Sequence, residues 1–207
     1  MEFASNFLQY LITFFAILDP IGISAIALSV LGSTISQNQL SEVSKKSTFT
    51  IVIAFFIVFL SGDFLLKLFG ISEESLKTMG GIILILMAIK MVNGSTNEST
   101  SMTKDYKEMA IVPIGIPIAF GAGLFSTVII YKQQAQSFMD ILSISLAFLI
   151  NAVIFYFILK NSIYIKNALG HVGQNVVTKL MGLIVGAIAV QFIVSGIVEL
   201  VKVYGTN

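Results

Sequence analysis

An aspartate followed by a proline stands inside a long apolar run near the start of the chain. The run, LITFFAILDPIGISAIALSV, covers residues 11–30, and Asp19 and Pro20 lie near its middle. An aspartate side chain accepts hydrogen bonds from the free N–H groups at the start of a helix, and proline is favoured at the first helical position. The pair therefore predicts one helix that ends near Leu18 and a second helix that starts at Pro20.

A second interruption follows in VPIGIPIAFGAGLFSTV, residues 112–128. Pro113 and Pro117 each lack an N–H donor, and the Gly-Ala-Gly segment that follows lets another backbone or a ligand come close. Free N–H groups at the start of a half-helix can bind an anion without a positive side chain. Tight packing of small residues between helices is the alternative explanation of the glycines. The predicted binding residues of this element are Pro117, Gly121, Ala122 and Gly123.

The composition places both segments in a membrane. The chain has 207 residues, of which 56% are hydrophobic and 11% charged, and its mean hydropathy is +0.94. Soluble domains carry about 25% charged residues, so this surface cannot be hydrated on all sides. A net charge of +1 without a basic block argues against nucleic acid as a partner, and a single histidine without cysteine argues against most zinc sites. We expect an integral membrane protein that is not an enzyme and has no catalytic residue, cofactor or metal site.

Six apolar stretches have about the 20 residues that a helix needs to cross a bilayer. We expect an all-α membrane protein that forms a single transmembrane domain over residues 1–207, with helices 1 and 4 discontinuous. The N-terminus lacks the basic stretch of a cleavable signal peptide, so span 1 is expected to stay in the mature protein. The predicted spans are 7–31, 49–70, 77–93, 109–130, 138–159 and 180–201.

The two halves of the chain share short motifs. A polar stretch at residues 93–108 divides the spans into two groups of three, PIG occurs in spans 1 and 4, and K-x-M-G occurs in spans 3 and 6. Because each half has an odd number of spans, the second half is inverted in the membrane relative to the first. Paired interrupted helices at corresponding positions point to a transporter site. We predict two inverted three-helix repeats, about 1–95 and about 108–207, joined by a flexible linker.

Two interpretations of the first interruption stay open. A broken helix inside hydrocarbon persists only where it is buried in protein or lines a polar cavity, and a charged aspartate at the membrane centre costs about 2.5–3.5 kcal/mol. Asp19 either only caps a structural kink or also holds a substrate or a proton. The two roles are compatible, since a capping residue can face a cavity. The predicted binding residues of this element are Asp19, Pro20, Ile21 and Gly22.

Other polar residues inside the spans also have two explanations. Asn151 and Gln191 lie near the centres of spans 5 and 6, where a buried amide either joins helices or lines a cavity. We include both in the predicted substrate-binding set. Asp63 and Lys67 have i, i+4 spacing near the end of span 2 and are expected to form a surface ion pair.

Five motifs, in order along nearly the whole chain, resemble those of one known family. They are LDPIG at 18–22, Gly62 with FGIS at 69–72, MGGIIL at 79–84, PIGIP at 113–117 with the Gly121–Gly123 segment, and KLMG at 179–182 leading to AVQF at 189–192. These motifs are similar to those of the MarC family of bacterial and archaeal inner-membrane proteins, also called the UPF0056 or NAAT family. The resemblance implies six helices in two inverted repeats and a location in the cytoplasmic membrane. Relatives with an assigned activity move small neutral amino acids such as glycine and alanine.

Two departures from the family pattern concern the interruptions. Gly121-Ala122-Gly123 stands where the family usually has Gly-Pro-Gly. Ile23-Ser24-Ala25 stands where the family often has asparagine and proline after DPIG. We expect a less rigid backbone at both places, which can change the choice of substrate.

Two classes of function remain. In the first, the chain is a secondary transporter whose broken helices 1 and 4 hold a small neutral amino acid near the midplane, with helix N-termini facing the carboxylate and backbone carbonyls or Asp19 facing the ammonium. Its partners are this substrate, a coupling ion (proton or sodium) and the lipid bilayer. In the second, the chain is a membrane assembly or regulatory protein that transports nothing, or it moves another small solute or ion. We favour the amino-acid transporter.

The lysines predict the orientation in the membrane. The loops after spans 1, 3 and 5, with their flanks, carry twice as many lysines as the opposite side, and positive residues favour the cytoplasm. Both termini are therefore expected outside, with linker 93–108 in the cytoplasm. Reporter fusions at the C-terminus and in the linker measure this directly, and a cytoplasmic C-terminus would contradict the prediction. The lysines of the richer side are Lys45, Lys46, Lys90, Lys104, Lys107, Lys160, Lys166 and Lys179.

Overall fold

The described part of the chain is built from helices. The computed structural model describes residues 2–32, 35–93 and 106–205, so most of the predicted linker lies outside the described residues. The regular structure in these ranges is helical, which confirms the all-α prediction. The helices are α1 (Glu2–Leu18), α2 (Pro20–Leu31), α3 (Gln37–Phe69), α4 (Glu73–Asn93), α5 (Tyr106–Met109), α6 (Ala122–Gln134), α7 (Phe138–Lys160) and α8 (Ser162–Tyr204), with an irregular helical segment, Ala110–Ala119, between α5 and α6.

The structure contains five or six candidate membrane spans. Five helical stretches within the described ranges are long and apolar enough to cross a bilayer. A sixth is obtained when Tyr106–Ala119 and Ala122–Gln134, which are bent by 60°, are counted as one span. The five stretches are Asn6–Leu31, Gln37–Phe69, Glu73–Asn93, Phe138–Lys160 and Ser162–Val203.

One predicted loop is helical. Residues 160–179 were expected to form a polar loop before span 6, but most of them belong to α8, whose backbone leaves the helical region at Gly170 (φ 61°, ψ 178°). α8 thus consists of two helical stretches that meet at Gly170, and each stretch has a polar residue packed against protein. Ser162 and Gln174 are both buried.

The helices pack mainly between the two halves of the chain. α1 and α2, which form the first span, pack on α7, whereas α6 and the Ala110–Ala119 segment pack on α3. In the same way, α4 packs on α6 and α8 packs on α2. Each half therefore buries its apolar surface chiefly against the other half.

The most extensive helix pairing within the described residues joins α4 and α8, and contacts of Gly81 with Ala189 and of Gly182 with Ala88 show that they run antiparallel. Small residues allow the close contact: a Cβ atom on Gly81 would lie 2.7 Å from the carbonyl oxygen of Ala189, and one on Gly182 would lie 3.2 Å from that of Ala88. Close backbone approach through small residues is a common way to associate helices in a bilayer, where apolar burial alone does not distinguish protein from lipid.

An aromatic cluster fixes α1, α3 and α7 to one another. Phe55 and Phe148 stack with their ring centroids 4.0 Å apart, and Phe14 meets Phe148 edge-on at 5.4 Å. All three side chains are fully buried. In contrast, Leu60 and Phe64 on the outer side of α3 are 73% and 66% exposed, as expected for side chains that face lipid.

Two ion pairs link different helices near the ends of α3 and α8. Lys132 on α6 lies 2.7 Å from Asp63 on α3, and Lys77 on α4 lies 2.8 Å from Glu199 on α8. The expected pairing of Asp63 with Lys67 is wrong. Lys132 reaches Asp63 from the neighbouring helix with its ammonium 5.7 Å from the ring centroid of Phe59, a position that i, i+4 spacing cannot reveal.

The α4–α8 contact predicts opposite effects for one substitution at two glycines. Gly81→Ala would put a Cβ atom 2.7 Å from the backbone oxygen of Ala189 and 3.0 Å from the nitrogen of Ile193, so we expect a loss of about 1–3 kcal/mol in the free energy of unfolding. Gly186→Ala would place its Cβ 3.5 Å from that of Ala88, an ordinary contact, and should leave stability unchanged or raise it by up to about 1 kcal/mol. Thermal unfolding in detergent compares the two variants. Equal stability of both would contradict this description of the contact.

Candidate functional site

The start of α2 is capped by its own aspartate. Asp19 has left-handed backbone angles (φ 39°, ψ 63°), and its Oδ1 accepts a hydrogen bond from the N–H of Gly22 at 3.2 Å. The N–H of Ile23 donates to the carbonyl oxygen of Asp19 at 2.9 Å, and Pro20 has no N–H to satisfy. The first turn of α2 therefore uses almost all of its donors internally, and it presents a carboxylate rather than free N–H groups.

A cavity of about 950 Å³ lies beside this carboxylate. Asp19 is only 6% exposed, and among the described residues no lysine or histidine forms an ion pair with it. The Thr178 hydroxyl of α8 faces the same carboxylate. We call this space cavity 1. Its outer part includes the exposed Lys166, His171 and Lys179. Its other lining residues include Asp19, Gly22, Met87, Lys90, Ile118, Gln174 and Thr178.

The start of α6 has the opposite character. Gly121 is the N-cap residue, has extended backbone angles and offers no side chain to accept a hydrogen bond. The first bond of this helix runs from the N–H of Phe125 to the carbonyl oxygen of Gly121 at 3.0 Å. The three preceding N–H groups of the helix thus have no intrahelical acceptor, and the positive end of the helix dipole is not neutralised by a capping carboxylate.

A smaller cavity of about 360 Å³ adjoins the start of α6. Its lining contains Pro117 and the Gly121–Gly123 segment, together with apolar side chains such as Ile17 and Leu124. We call it cavity 2. It shares Met87, Lys90 and Ile118 with cavity 1, so the two helix starts border two adjoining cavities.

Non-helical backbone precedes α6 in the segment whose end, Pro117 to Ala119, lines cavity 2. Val112 (φ −131°, ψ 118°) and Ile116 (φ −134°, ψ 131°) precede Pro113 and Pro117 and leave the helical region. Residues before proline avoid helical angles for steric reasons. The segment recovers one hydrogen bond where the N–H of Phe120 donates to the carbonyl oxygen of Gly115 at 2.9 Å.

The structure does not bring every predicted site residue to a cavity. Pro20 is buried and Ile21 half-buried in the first turn of α2, and neither lines cavity 1 or cavity 2. Asn151 is fully buried, and its Nδ2 donates to the carbonyl oxygens of Leu11 and Ala147 at 3.0 and 2.9 Å. It therefore joins α7 to α1, the simpler of its two explanations. Gln191 is exposed and lines neither cavity, because it lies on the face of α8 turned away from α4 and α2.

Lys90, Gln174 and Thr178 are among the residues of cavity 1 that the sequence analysis did not predict. In the sequence, Lys90 indicates only the orientation in the membrane. Gln174 and Thr178 lie in the loop predicted after span 5. Their i, i+4 spacing puts them on one face of a helix, but the sequence gives that spacing no meaning until the stretch is known to be helical.

Comparison with known proteins identifies the family. The family model described as "MarC family integral membrane protein" matches residues 4–201. This chain belongs to the MarC family. It is 32% identical over 199 residues to a UPF0056 membrane protein of Pyrococcus horikoshii, covering 95% of this chain and 96% of that protein. It is 26% identical over 197 residues to the UPF0056 membrane protein YhcE of Escherichia coli, covering 92% and 91% of the two chains. No solved structure matches the chain.

These MarC relatives include bacterial and archaeal proteins. A third relative, from Buchnera aphidicola, is 28% identical over 202 residues, and the match covers 93% of this chain and 93% of that protein. All three relatives are named only as UPF0056 membrane proteins. Membership thus establishes an integral membrane protein.

The backbone at Asp19 predicts the order of stability of its variants. Asparagine is nearly as good an N-cap as aspartate and tolerates left-handed angles, so Asp19→Asn should unfold at nearly the wild-type temperature. Asp19→Ala loses the cap and places a Cβ-bearing residue without local hydrogen bonds in the left-handed region, which together should cost about 2–3 kcal/mol. Asp19→Gly is the control, since glycine adopts these angles freely and is a fair N-cap. Thermal unfolding in detergent gives the order, and an alanine variant as stable as the asparagine variant would contradict the capping geometry.

Proposed function

We propose that this MarC protein is a secondary transporter of small neutral amino acids, of the glycine or alanine kind, across the cytoplasmic membrane. One observation carries the proposal: two helix starts of opposite electrostatic character border adjoining cavities. The start of α2 offers the buried carboxylate of Asp19, and the start of α6 offers N–H groups without a cap. A zwitterion has one group for each.

The ammonium group belongs beside Asp19. A buried carboxylate without a counter-charge is costly in an apolar environment, and a cationic ligand removes that cost. The Oδ1 atom already accepts from Gly22, which fixes the orientation of the carboxylate. When no substrate is bound, a coupling proton or sodium ion would take the same place.

The carboxylate group of the substrate belongs at the start of α6. Helix N-termini bind anions through free N–H groups and through the helix dipole. Lys90 lines both cavities and adds a positive charge at their shared wall. The remaining lining of cavity 2 is apolar, which supports a substrate with a small side chain that carries no charge; these apolar residues include Ile17, Ile83, Leu86, Met87 and Ile118.

The helix packing supports two inverted three-helix repeats. Under such a relation, span 1 corresponds to span 4, span 2 to span 5 and span 3 to span 6. The packing of α1 on α7 then has its counterpart in that of the Ala110–Ala119 segment on α3, and the packing of α2 on α8 has its counterpart in that of α6 on α4. The α4–α8 and α3–α7 contacts are each their own counterpart. With both termini outside, cavity 1 would open to the cytoplasm, because exposed Lys166 and Lys179 lie at its outer part.

Uptake into liposomes tests the transporter. Purified protein should take up radiolabelled glycine or alanine, and a pH or sodium gradient should change the rate and identify the coupling ion. Protein-free liposomes and liposomes with heat-denatured protein are the controls. No uptake of either amino acid under any gradient would favour the alternative, a membrane assembly or regulatory protein.

Asp19→Asn separates charge from capping. If Asp19 holds the ammonium or a coupled proton, this variant should keep its fold and lose at least about tenfold in uptake, because a hydrogen bond to a charged group contributes about 1.5–3 kcal/mol. Uptake is measured beside thermal unfolding of the same preparation. An asparagine variant that folds and transports normally would show that Asp19 only caps α2.

A further inference from the structure

Gln174 is a buried amide on the face of α8 that packs against α2. Its side chain is 2% exposed, and its Nε2 lies 3.3 Å from the hydroxyl oxygen of Ser24. One helical turn later, Thr178 faces the carboxylate of Asp19. Both α8 residues also line cavity 1. The amide of Gln174 is therefore part of the same wall as the buried carboxylate.

The orientation of this amide follows from its neighbour. The Ser24 hydroxyl donates to the carbonyl oxygen of Ile21 at 2.7 Å, so towards Gln174 it can only accept. The NH₂ group of Gln174 must then face Ser24. Its Oε1 is buried and has no hydrogen-bond partner.

This unpaired oxygen differs from the others in the described residues. Buried side-chain polar atoms without a partner occur there on Thr48, Asp63, Asn151 and Gln174. Of these four residues, only Gln174 lines cavity 1 or cavity 2. Native proteins nearly always satisfy buried acceptors, so an exception at a binding cavity points to a donor that arrives with the ligand.

We propose that Gln174 is a substrate-binding residue, whose Oε1 accepts an N–H of the substrate's ammonium group beside Asp19. This inference rests on the proposed transport of amino acids and names the group that selects the amine. Asp19 supplies negative charge, which attracts any cation. Gln174 supplies a neutral acceptor, which needs an N–H donor and is left unpaired by a quaternary amine.

A neutral acceptor on Gln174 predicts that the site distinguishes amines with N–H donors from amines without them, which the charge of Asp19 alone would not do. Glycine has three N–H donors on its ammonium group, and N,N,N-trimethylglycine has the same net charge and none. A site that hydrogen-bonds its substrate rejects an analogue without the donor far more strongly than an apolar pocket rejects a change of size. Wild-type protein should therefore bind glycine at least about tenfold more tightly than trimethylglycine.

Gln174→Leu tests the assignment, and Gln191→Leu is its matched control. The two substitutions are chemically identical and lie on the same helix, but Gln191 is exposed and lines neither cavity. The concentration of glycine and of trimethylglycine that halves uptake of labelled glycine is measured for wild type and both variants. Thermal unfolding in detergent, with and without glycine, gives an independent measure of folding and binding.

We expect Gln174→Leu to weaken the binding of glycine about 10- to 100-fold and to leave the binding of trimethylglycine nearly unchanged. The ratio of the two binding strengths should then fall towards 1, whereas Gln191→Leu should behave as wild type. If wild type transports glycine and the selectivity survives in Gln174→Leu, size alone excludes the methyl groups, and the inference is overturned while the transporter stands. If wild type does not transport, the proposed function fails, and the glycine-dependent rise in unfolding temperature decides the inference. A rise that occurs in wild type and Gln191→Leu but is lost in Gln174→Leu supports the inference. A rise that is absent from wild type overturns it.

Discussion

The structure depends on one constraint: backbone N–H and C=O groups freed inside a membrane must find partners in the protein. Lipid offers none, so an interrupted helix has to be surrounded by other helices or by a cavity. At Asp19 the partner is the residue's own side chain, which accepts from Gly22. Near Pro113 and Pro117 part of the need is met by the Phe120–Gly115 hydrogen bond, and the start of α6 keeps free donors. Both interruptions are therefore found where the helices of the two halves meet.

The packing between halves satisfies that constraint. Glycines on α4 and α8 let these helices approach closely, and the aromatic cluster of Phe14, Phe55 and Phe148 holds α1 against α3 and α7. α2 packs on α7 and α8, and α6 packs on α3 and α4. The space left beside their first turns becomes cavities 1 and 2, which share Met87, Lys90 and Ile118. A site of this kind does not belong to either half alone.

The two helix starts differ in the residue at the N-cap. Asp19 puts a carboxylate at the start of α2, and Gly121 puts no side chain at the start of α6. Two similar backbone interruptions thereby present opposite partial charges to adjoining cavities, which favours a ligand that carries both charges. Gln174 adds an unpaired neutral acceptor to the negative side. This combination supports the proposed zwitterionic substrate better than a simple cation, for which the start of α6 would have no role.

The sequence by itself determined the membrane class, the approximate spans and the two interruptions at Asp19 and at Pro113 and Pro117, because hydropathy and proline act locally along the chain. It also indicated Asp19, Gly22, Pro117 and the Gly121–Gly123 segment, all of which line a cavity. It did not indicate the break at Gly170. Only the tertiary structure decided which polar residues face those cavities. Asn151 joins two helices, Gln191 is exposed, and Gln174 lies in the wall beside Asp19. An amide has the same sequence signal in each setting, and its role depends on which helix packs against it.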